Sequence, residues 1–379
     1  MQLKKSAAAL IAAGMTLPGF ALATNGMLME GYGPIATGMG GAAMAHDNGN
    51  AAMANNPATL GLMDNGSRLD VMLGHVGPDV SAPGTMGASS ADAFYMPAFG
   101  FVRKQGQLSY GVGIYGQGGM GTDYANGDMA QVGVGRVILP LAYSVDDRLN
   151  IGGSIDIVWA GMDLAFGMAN IDFQDGSDYT GAAKGYGVAA KLGFTYKLDD
   201  TLTLGAVYQT AGNLGDLKGD GYRVEGFDMP AIVGLGLAWQ ATPRLLAAFD
   251  VKDVLWSGSM NTVTVHTPGG PMAFQQDWND QIVVSLGFAY RYSDALTLRA
   301  GFNHGKNPIP SDHVSALWPA IVEDHYTLGL GYVLNPRSQI NLALTFVPEV
   351  SVTGTGAMNA GMRIDHSQFN WQLMYSYAF

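Results

Sequence analysis

Phe369-Asn370-Trp371-Gln372-Leu373-Met374-Tyr375-Ser376-Tyr377-Ala378-Phe379 alternates without a fault. Phe369, Trp371, Leu373, Tyr375, Tyr377 and Phe379 take one parity; Asn370, Gln372, Met374, Ser376 and Ala378 take the other. Successive side chains of a β-strand point to opposite faces, so this strand has one broad aromatic face and one small or polar face. A soluble sheet would turn the aromatic face inward. Here the pattern recurs along the whole chain, and a sheet of such strands closed with its apolar face outward is a transmembrane β-barrel.

Reading for the same alternation predicts fourteen strands, near 67–77, 95–104, 107–121, 132–145, 149–166, 185–198, 201–211, 229–240, 244–257, 280–292, 295–304, 324–334, 338–348 and 367–379. In Ile282–Tyr290 the outward parity is Ile282, Val284, Leu286, Phe288 and Tyr290; in Ile340–Phe346 it is Ile340, Leu342, Leu344 and Phe346. The expected class is an all-β, 14-stranded antiparallel transmembrane β-barrel over residues 67–379. The connections carry independent information. Gln105-Gly106, Asp146–Arg148, Asp199-Asp200, Ala241–Pro243, Ser293-Asp294 and Asn335–Arg337 read as tight hairpin turns. They alternate with seven longer loops of roughly ten to twenty residues, and bacterial barrels keep short turns periplasmic and long loops outside. Trp159, Trp239, Trp371, Tyr290 and Tyr332, outward and near strand ends, are placed as membrane-interface girdles, which a soluble sandwich or propeller does not need.

The N-terminus points to the same compartment. Lys4 and Lys5 precede an apolar core, Ala7–Ala13 and Met15–Leu22, broken by Gly14, Pro18 and Gly19, and Ala21-Leu22-Ala23 is an Ala-x-Ala cleavage signal. Residues 1–23 are therefore expected to be a signal peptide; the run is too short for a membrane anchor, which needs roughly 20 apolar residues. Its loss removes two lysines and no acid, deepening a net charge of −12. An acidic chain without a basic cluster is a poor nucleic-acid binder. The cysteine count of 0 excludes disulfides and thiolate metal ligation.

Other motifs carry little chemistry. Gly111-Val-Gly-Ile-Tyr-Gly116 matches a dinucleotide fingerprint but sits inside a strand pattern with no following helix. Four histidines adjoin an acid, at His46-Asp47, Asp312-His313, Asp324-His325 and Asp365-His366, but neighbours on a strand face opposite ways and cannot converge on a metal. No catalytic triad is supported by spacing, so neither catalytic residues, a metal nor a cofactor is expected. Alternation puts Asp156, Lys191, Asp250, Lys252, Arg291 and Arg299 on the lumen face, either as internal ion pairs or, for Lys191 or Arg299, to meet a substrate carboxylate. Gly116-Gln117-Gly118-Gly119-Met120-Gly121, after Tyr115, has four glycines in six residues and favours a bulge or bend in the third strand.

Residues 24–66 do not alternate. They contain Gly38-Met-Gly-Gly-Ala42, Asp47-Asn-Gly-Asn50 and Asn56-Pro57-Ala58-Thr59-Leu60. Together with Met229-Pro230, Trp278 and Asp280, Leu298–Phe302 before Pro308-Ile309-Pro310, and the final Tyr-Ala-Phe, they resemble the FadL/TodX family of outer-membrane transport proteins from end to end. The terminal aromatic also resembles the signal by which the barrel-assembly machinery recognises its clients.

The resemblance implies a partly helical hatch, residues 24–66, inside the barrel lumen, carrying the Asn56, Pro57 and Ala58 turn. It implies passage of long-chain fatty acids or hydrocarbons to a lumen pocket, with lateral exit at a kink matching Tyr115, Gly116, Gln117, Gly118, Gly119, Met120 and Gly121, against which Asn56 would pack. Met27, Leu28 and Met29 would line the pocket with Lys191 or Arg299; packing of six methionines against the wall is the plainer reading. His325 stands where the fatty-acid branch leads one to expect arginine. The implied partners are a hydrophobic small molecule, outer-membrane lipid, lipopolysaccharide and the barrel-assembly machinery, with a monomeric chain. A general porin and a surface adhesin or receptor barrel are the alternatives; the first predicts large conductance, the second uses the long loops.

Overall fold

A computed structural model describes residues 25–177 and 180–379; the expected signal peptide and its cleavage site lie outside the described residues. Fourteen strands form the wall: β1 Gly66–Val76, β2 Phe94–Gln105, β3 Leu108–Asp123, β4 Met129–Ser144, β5 Leu149–Phe166, β6 Ala183–Lys197, β7 Leu202–Gln209, β8 Ala231–Thr242, β9 Leu245–Leu255, β10 Gln281–Arg291, β11 Leu296–Gly305, β12 Asp324–Asn335, β13 Ser338–Thr353 and β14 Arg363–Ala378. Each pairs antiparallel with the next, and β14 returns to β1 through Leu69↔Tyr377 and Leu73↔Leu373, so the sheet closes and has no edge. All six short turns fall where the turn residues predict.

The last strand behaves as its sequence dictates. Phe369, Leu373, Tyr375 and Phe379 are exposed, at 52%, 45%, 44% and 60%, while Asn370, Gln372, Met374 and Ser376 are buried. An apolar exterior and a polar interior suit a wall bathed in lipid.

Three expectations need correction. The strand predicted to end at 348 runs to Thr353, because Pro348 and Glu349 are absorbed in a bulge between Val347 and Val350, after which pairing resumes at Val350↔His366. The loop after β3 shrinks to residues 124–128, since Asp123↔Met129 and Thr122↔Ala130 carry the ladder through segments too weakly patterned to read as strand. The long loops also hold short strands of their own. Leu217–Gly219 and Tyr222–Glu225 form a hairpin that joins a second, Thr262–Thr267 with Gly270–Gln275, through Val224↔Val265.

Residues 25–65 fold inward. A helical turn Pro34–Thr37 and two 3-10 turns, Asn50–Met53 and Pro57–Leu62, are linked by irregular backbone. Buried irregular backbone needs partners, and the lumen supplies them. Ala43 and Met44 donate their N–H groups to Asp250 Oδ2 at 2.6 and 3.0 Å, Asn50 donates to Asp70 Oδ2 at 2.8 Å, and Gly40 to Thr327 Oγ1 at 3.0 Å. Lumen-facing glycines provide the room: a methyl group at Gly205 would overlap the Met44 carbonyl, and one at Gly301 the Gly40 amide. All six methionines of this segment, Met27, Met29, Met39, Met44, Met53 and Met63, are buried.

Candidate functional site

The wall is interrupted between β2 and β3. Their ladder runs from Gln105↔Leu108 to Phe99↔Ile114 and stops there among the described residues. Both strands continue: β2 stays on β1 as far as Val76↔Phe94, and β3 stays on β4 as far as Asp123↔Met129. The register of β3 slips between Gly116 and Gly118, leaving Gln117 as the extra residue of a bulge. Phe94–Ala98 and Tyr115–Asp123 therefore flank a slot without ladder hydrogen bonds.

From the inside, the N-terminal segment covers the freed edge of β3. Leu28 bridges Gly118, and the Gly119 N–H donates to the Met27 carbonyl at 3.1 Å. The Gln117 carbonyl accepts from the Met29 N–H at 3.4 Å and from the Tyr32 hydroxyl at 2.9 Å. Met27, Leu28 and Met29 are all buried. Burial holds the Tyr32 phenol well above its ordinary range, so it stays a donor to that carbonyl.

The Asn56, Pro57 and Ala58 turn lies elsewhere, which corrects its expected contact with Tyr115–Gln117. Asn56 Nδ2 donates to the Met44 carbonyl at 2.7 Å and to the Phe194 carbonyl at 3.3 Å, while its Oδ1 caps the following turn by accepting from Ala58 N–H at 3.1 Å. It is seated on β5 and β6, where side chains at Gly152 or Gly193 would collide with it. The Gln117 carbonyl is already occupied by the Met29 N–H and the Tyr32 hydroxyl, and the Asn56 amide is instead spent on Met44 and Phe194.

Behind the slot lies a buried polar chain. Arg136 donates through Nε to Gln117 Oε1 and through Nη1 to Asp156 Oδ2 at 2.9 Å; Lys191 Nζ reaches the same oxygen at 2.7 Å, and Ser154 donates to Oδ1. Lys191 is thus an ion-pair member at 2% side-chain exposure. Arg299 is not brought near it. It sits on β11, makes no ion pair among the described residues, and donates to Asn341 Oδ1 at 3.1 Å. Arg136 and Tyr32 escaped the sequence reading. Arg136 obeys the same parity rule that placed Asp156 and Lys191, but the glycines around it blur the alternation.

Two adjoining cavities complete the geometry. One, with about 490 Å³ of non-atom space that includes open solvent, runs from Leu28 and Met29 past Tyr32 and Met44 to Lys252 and Val254. The other, smaller, with about 190 Å³ of such space, is lined by Tyr32, Tyr115, Gly116, Gln117, Arg136 and Lys191. Tyr32, Ala54 and Gln209 line both.

A family model described as outer membrane protein transport protein (OMPP1/FadL/TodX) matches residues 10–367. The chain belongs to this family. Its place is accordingly the outer membrane. The Pseudomonas putida toluene transporter TodX is 28% identical, covering 92% of this chain and 99% of that one, with a TM-score of 0.82. The Ralstonia pickettii toluene transporter TbuX is 27% identical over 92% of this chain and 99% of its own, at a TM-score of 0.76. A Pseudomonas aeruginosa FadL homologue, 16% identical and covering 93% of this chain and 100% of its own at a TM-score of 0.79, shares the fold. An uncharacterized protein in the phosphoenolpyruvate carboxykinase gene 5' region of Chlorobium limicola is 42% identical over 79 residues, 21% of this chain. That match spans 39% of the Chlorobium protein's length.

Proposed function

We propose that this FadL/TodX-family barrel carries hydrophobic small molecules across the outer membrane by facilitated diffusion, delivering them sideways into the bilayer through the slot between β2 and β3. The interrupted ladder carries the reading: two strands that continue beyond Ile114 without pairing leave a gap backed by a cavity. Lipopolysaccharide excludes greasy molecules, and a chain of apolar pockets offers a path on which each step removes apolar surface from water. Residues 24–66 act as the hatch that blocks a straight aqueous pore, after removal of residues 1–23 on export. Leu28, at the junction of the first cavity and Gly118, is the element that shifts. Assembly by the barrel machinery, lipopolysaccharide around the outer rim and a monomeric state belong to the same reading.

Cargo falls into two chemical classes. Similarity to the toluene transporters TodX and TbuX supports neutral hydrocarbons. A second reading, a fatty acid, has its own support: Arg136 and Lys191 share one carboxylate, and Arg136 Nη2, Gln117 Nε2 and Gln209 Nε2 are buried without partners among the described residues around the second cavity. The test is uptake of labelled toluene and labelled oleate by cells lacking their own transporter, with and without the chain. Toluene alone establishes a hydrocarbon channel and oleate alone a fatty-acid transporter. Uptake of neither by a folded, surface-located barrel rejects the proposal, and large single-channel conductance would replace it with a general porin.

A further inference from the structure

We propose that Phe94 and Met96 of β2 are the shutters of the lateral slot and set the width of cargo that can leave; the inference rests on the lateral-exit reading above. On β2 the lumen parity is Val102, Gly100 and Ala98, all buried, and it continues upward through Met96 and Phe94. Below Ile114 the neighbouring strand is hydrogen-bonded alongside and these side chains stand over the lumen. Above it the strands part, and Met96 and Phe94, both half-buried, lean across the gap.

They meet glycine. A methyl group on Gly116 would come within 3.1 Å of Met96 Sδ, and one on Gly121 within 2.6 Å of Phe94 Cζ. Gly118 and Gly119 between them present no side chain either, and their exposed edge is covered from within by Met27 and Leu28. Of the side chains among these glycines, Gln117 is held by Arg136 and Met120 packs against the buried core, so at Gly116 and Gly121 the side chains that narrow the slot come from β2. A slot closed by one phenyl ring and one flexible thioether can be widened by rotation of either without breaking a wall hydrogen bond. Methionine is suited to this, since its unbranched, polarizable chain adapts to variable apolar shapes. The glycines of β3 thus serve two ends: they allow the bulge at Gln117, and they leave room for the two shutters.

The relevant chemistry of the cargo is its cross-section. Toluene and biphenyl share an apolar character and a lack of charge but differ in bulk, so they isolate width from polarity. Truncating Phe94 enlarges the slot at its Gly121 end, truncating Met96 at its Gly116 end, and a steric filter of this size discriminates on the order of tenfold.

The experiment measures uptake of labelled toluene and biphenyl by cells carrying wild type, Phe94→Ala, Phe94→Leu, Met96→Ala and the Phe94→Ala/Met96→Ala pair, with the heat-shift of the folded barrel on gels as a folding control. The biphenyl-to-toluene ratio is expected to rise several-fold in each single variant and on the order of tenfold in the pair. Gly121→Ala is expected to lower biphenyl uptake in wild type and to have little effect once Phe94 is alanine, because the methyl then has no ring to meet. A folded wild-type chain that carries none of toluene, biphenyl and oleate overturns the transport reading itself, and the shutters with it. A wild type that carries toluene, with the ratio unchanged in folded Phe94→Leu and Met96→Ala variants, overturns the shutters alone.

Discussion

Arg136 holds Gln117: the guanidinium donates to the side-chain oxygen of the one residue that the bulge in β3 leaves without a ladder partner, and its other arm grips Asp156 on β5. The bend is thereby tied to the barrel wall through a buried ion pair. Asp156 serves two cations at once, Arg136 and Lys191, and this unequal sharing makes loss of the anion and loss of one cation inequivalent.

Asp156→Asn leaves two buried cations facing each other without an anion, and losing the partner of a buried charge costs about 3–5 kcal/mol. Lys191→Met leaves a one-to-one pair of Arg136 with Asp156 and should cost about 1 kcal/mol or less. Thermal unfolding in detergent, followed by circular dichroism, is expected to rank them in that order; equal losses would mean that the sharing is energetically irrelevant. If the cargo is a fatty acid, Lys191→Met also lowers oleate uptake and leaves toluene untouched.

Gly118→Val tests the seat of the N-terminal segment. A side chain there runs into the Met27 carbonyl, while the β3–β4 ladder at Gly118↔Val134 is unaffected. The barrel should fold, with residues 25–32 displaced and open to protease, and with uptake lost. Protection of that segment equal to wild type would show that Met27 can yield without leaving its place.

Asn56 gives a sharper contrast. Asn56→Ala removes a turn cap and two further hydrogen bonds, costing about 1–3 kcal/mol. Asn56→Asp keeps the cap at Ala58 but sets a carboxylate oxygen against the Met44 and Phe194 carbonyls, which have nothing to offer it. Asp is therefore expected to destabilise more than Ala despite its closer shape, and a melting temperature for Asn56→Asp above that of Asn56→Ala would contradict the assigned hydrogen bonds.

Much of this was legible in the residues. The alternation of Phe369–Phe379 and its relatives requires a closed wall with lipid outside, and the run Gly116–Gly121 marks the stretch of β3 whose pairing with β2 has stopped. Legibility fails where a property depends on contacts across the lumen. Nothing local to Asn56 says that its acceptors are Met44 and Phe194, 138 positions apart from the latter. Gly193, Gly205 and Gly301 look like weak points of strands until the backbone lying on them is in view. Arg136 was hidden for a related reason, because glycine has no parity and the strand around it reads as noise.

Glu30 makes the last prediction. It is fully buried on the N-terminal segment; Oε1 accepts from Thr345 Oγ1 at 2.7 Å, and Oε2 has no partner among the described residues. Burial raises its pKa above the ordinary 4.5, and the Thr345 hydrogen bond and the nearby Lys252 only partly oppose this. The folded chain then binds a proton more tightly than the unfolded one, so the contribution to stability is complete below pH 4.5 and is lost as pH rises through the raised value. Glu30→Gln keeps the shape and removes the titration. Across pH 4 to 8, the difference in melting temperature between variant and wild type should grow in favour of the variant and then level off. A difference that stays flat across the range would mean that the Glu30 carboxyl ionises in the folded barrel as readily as it does in water.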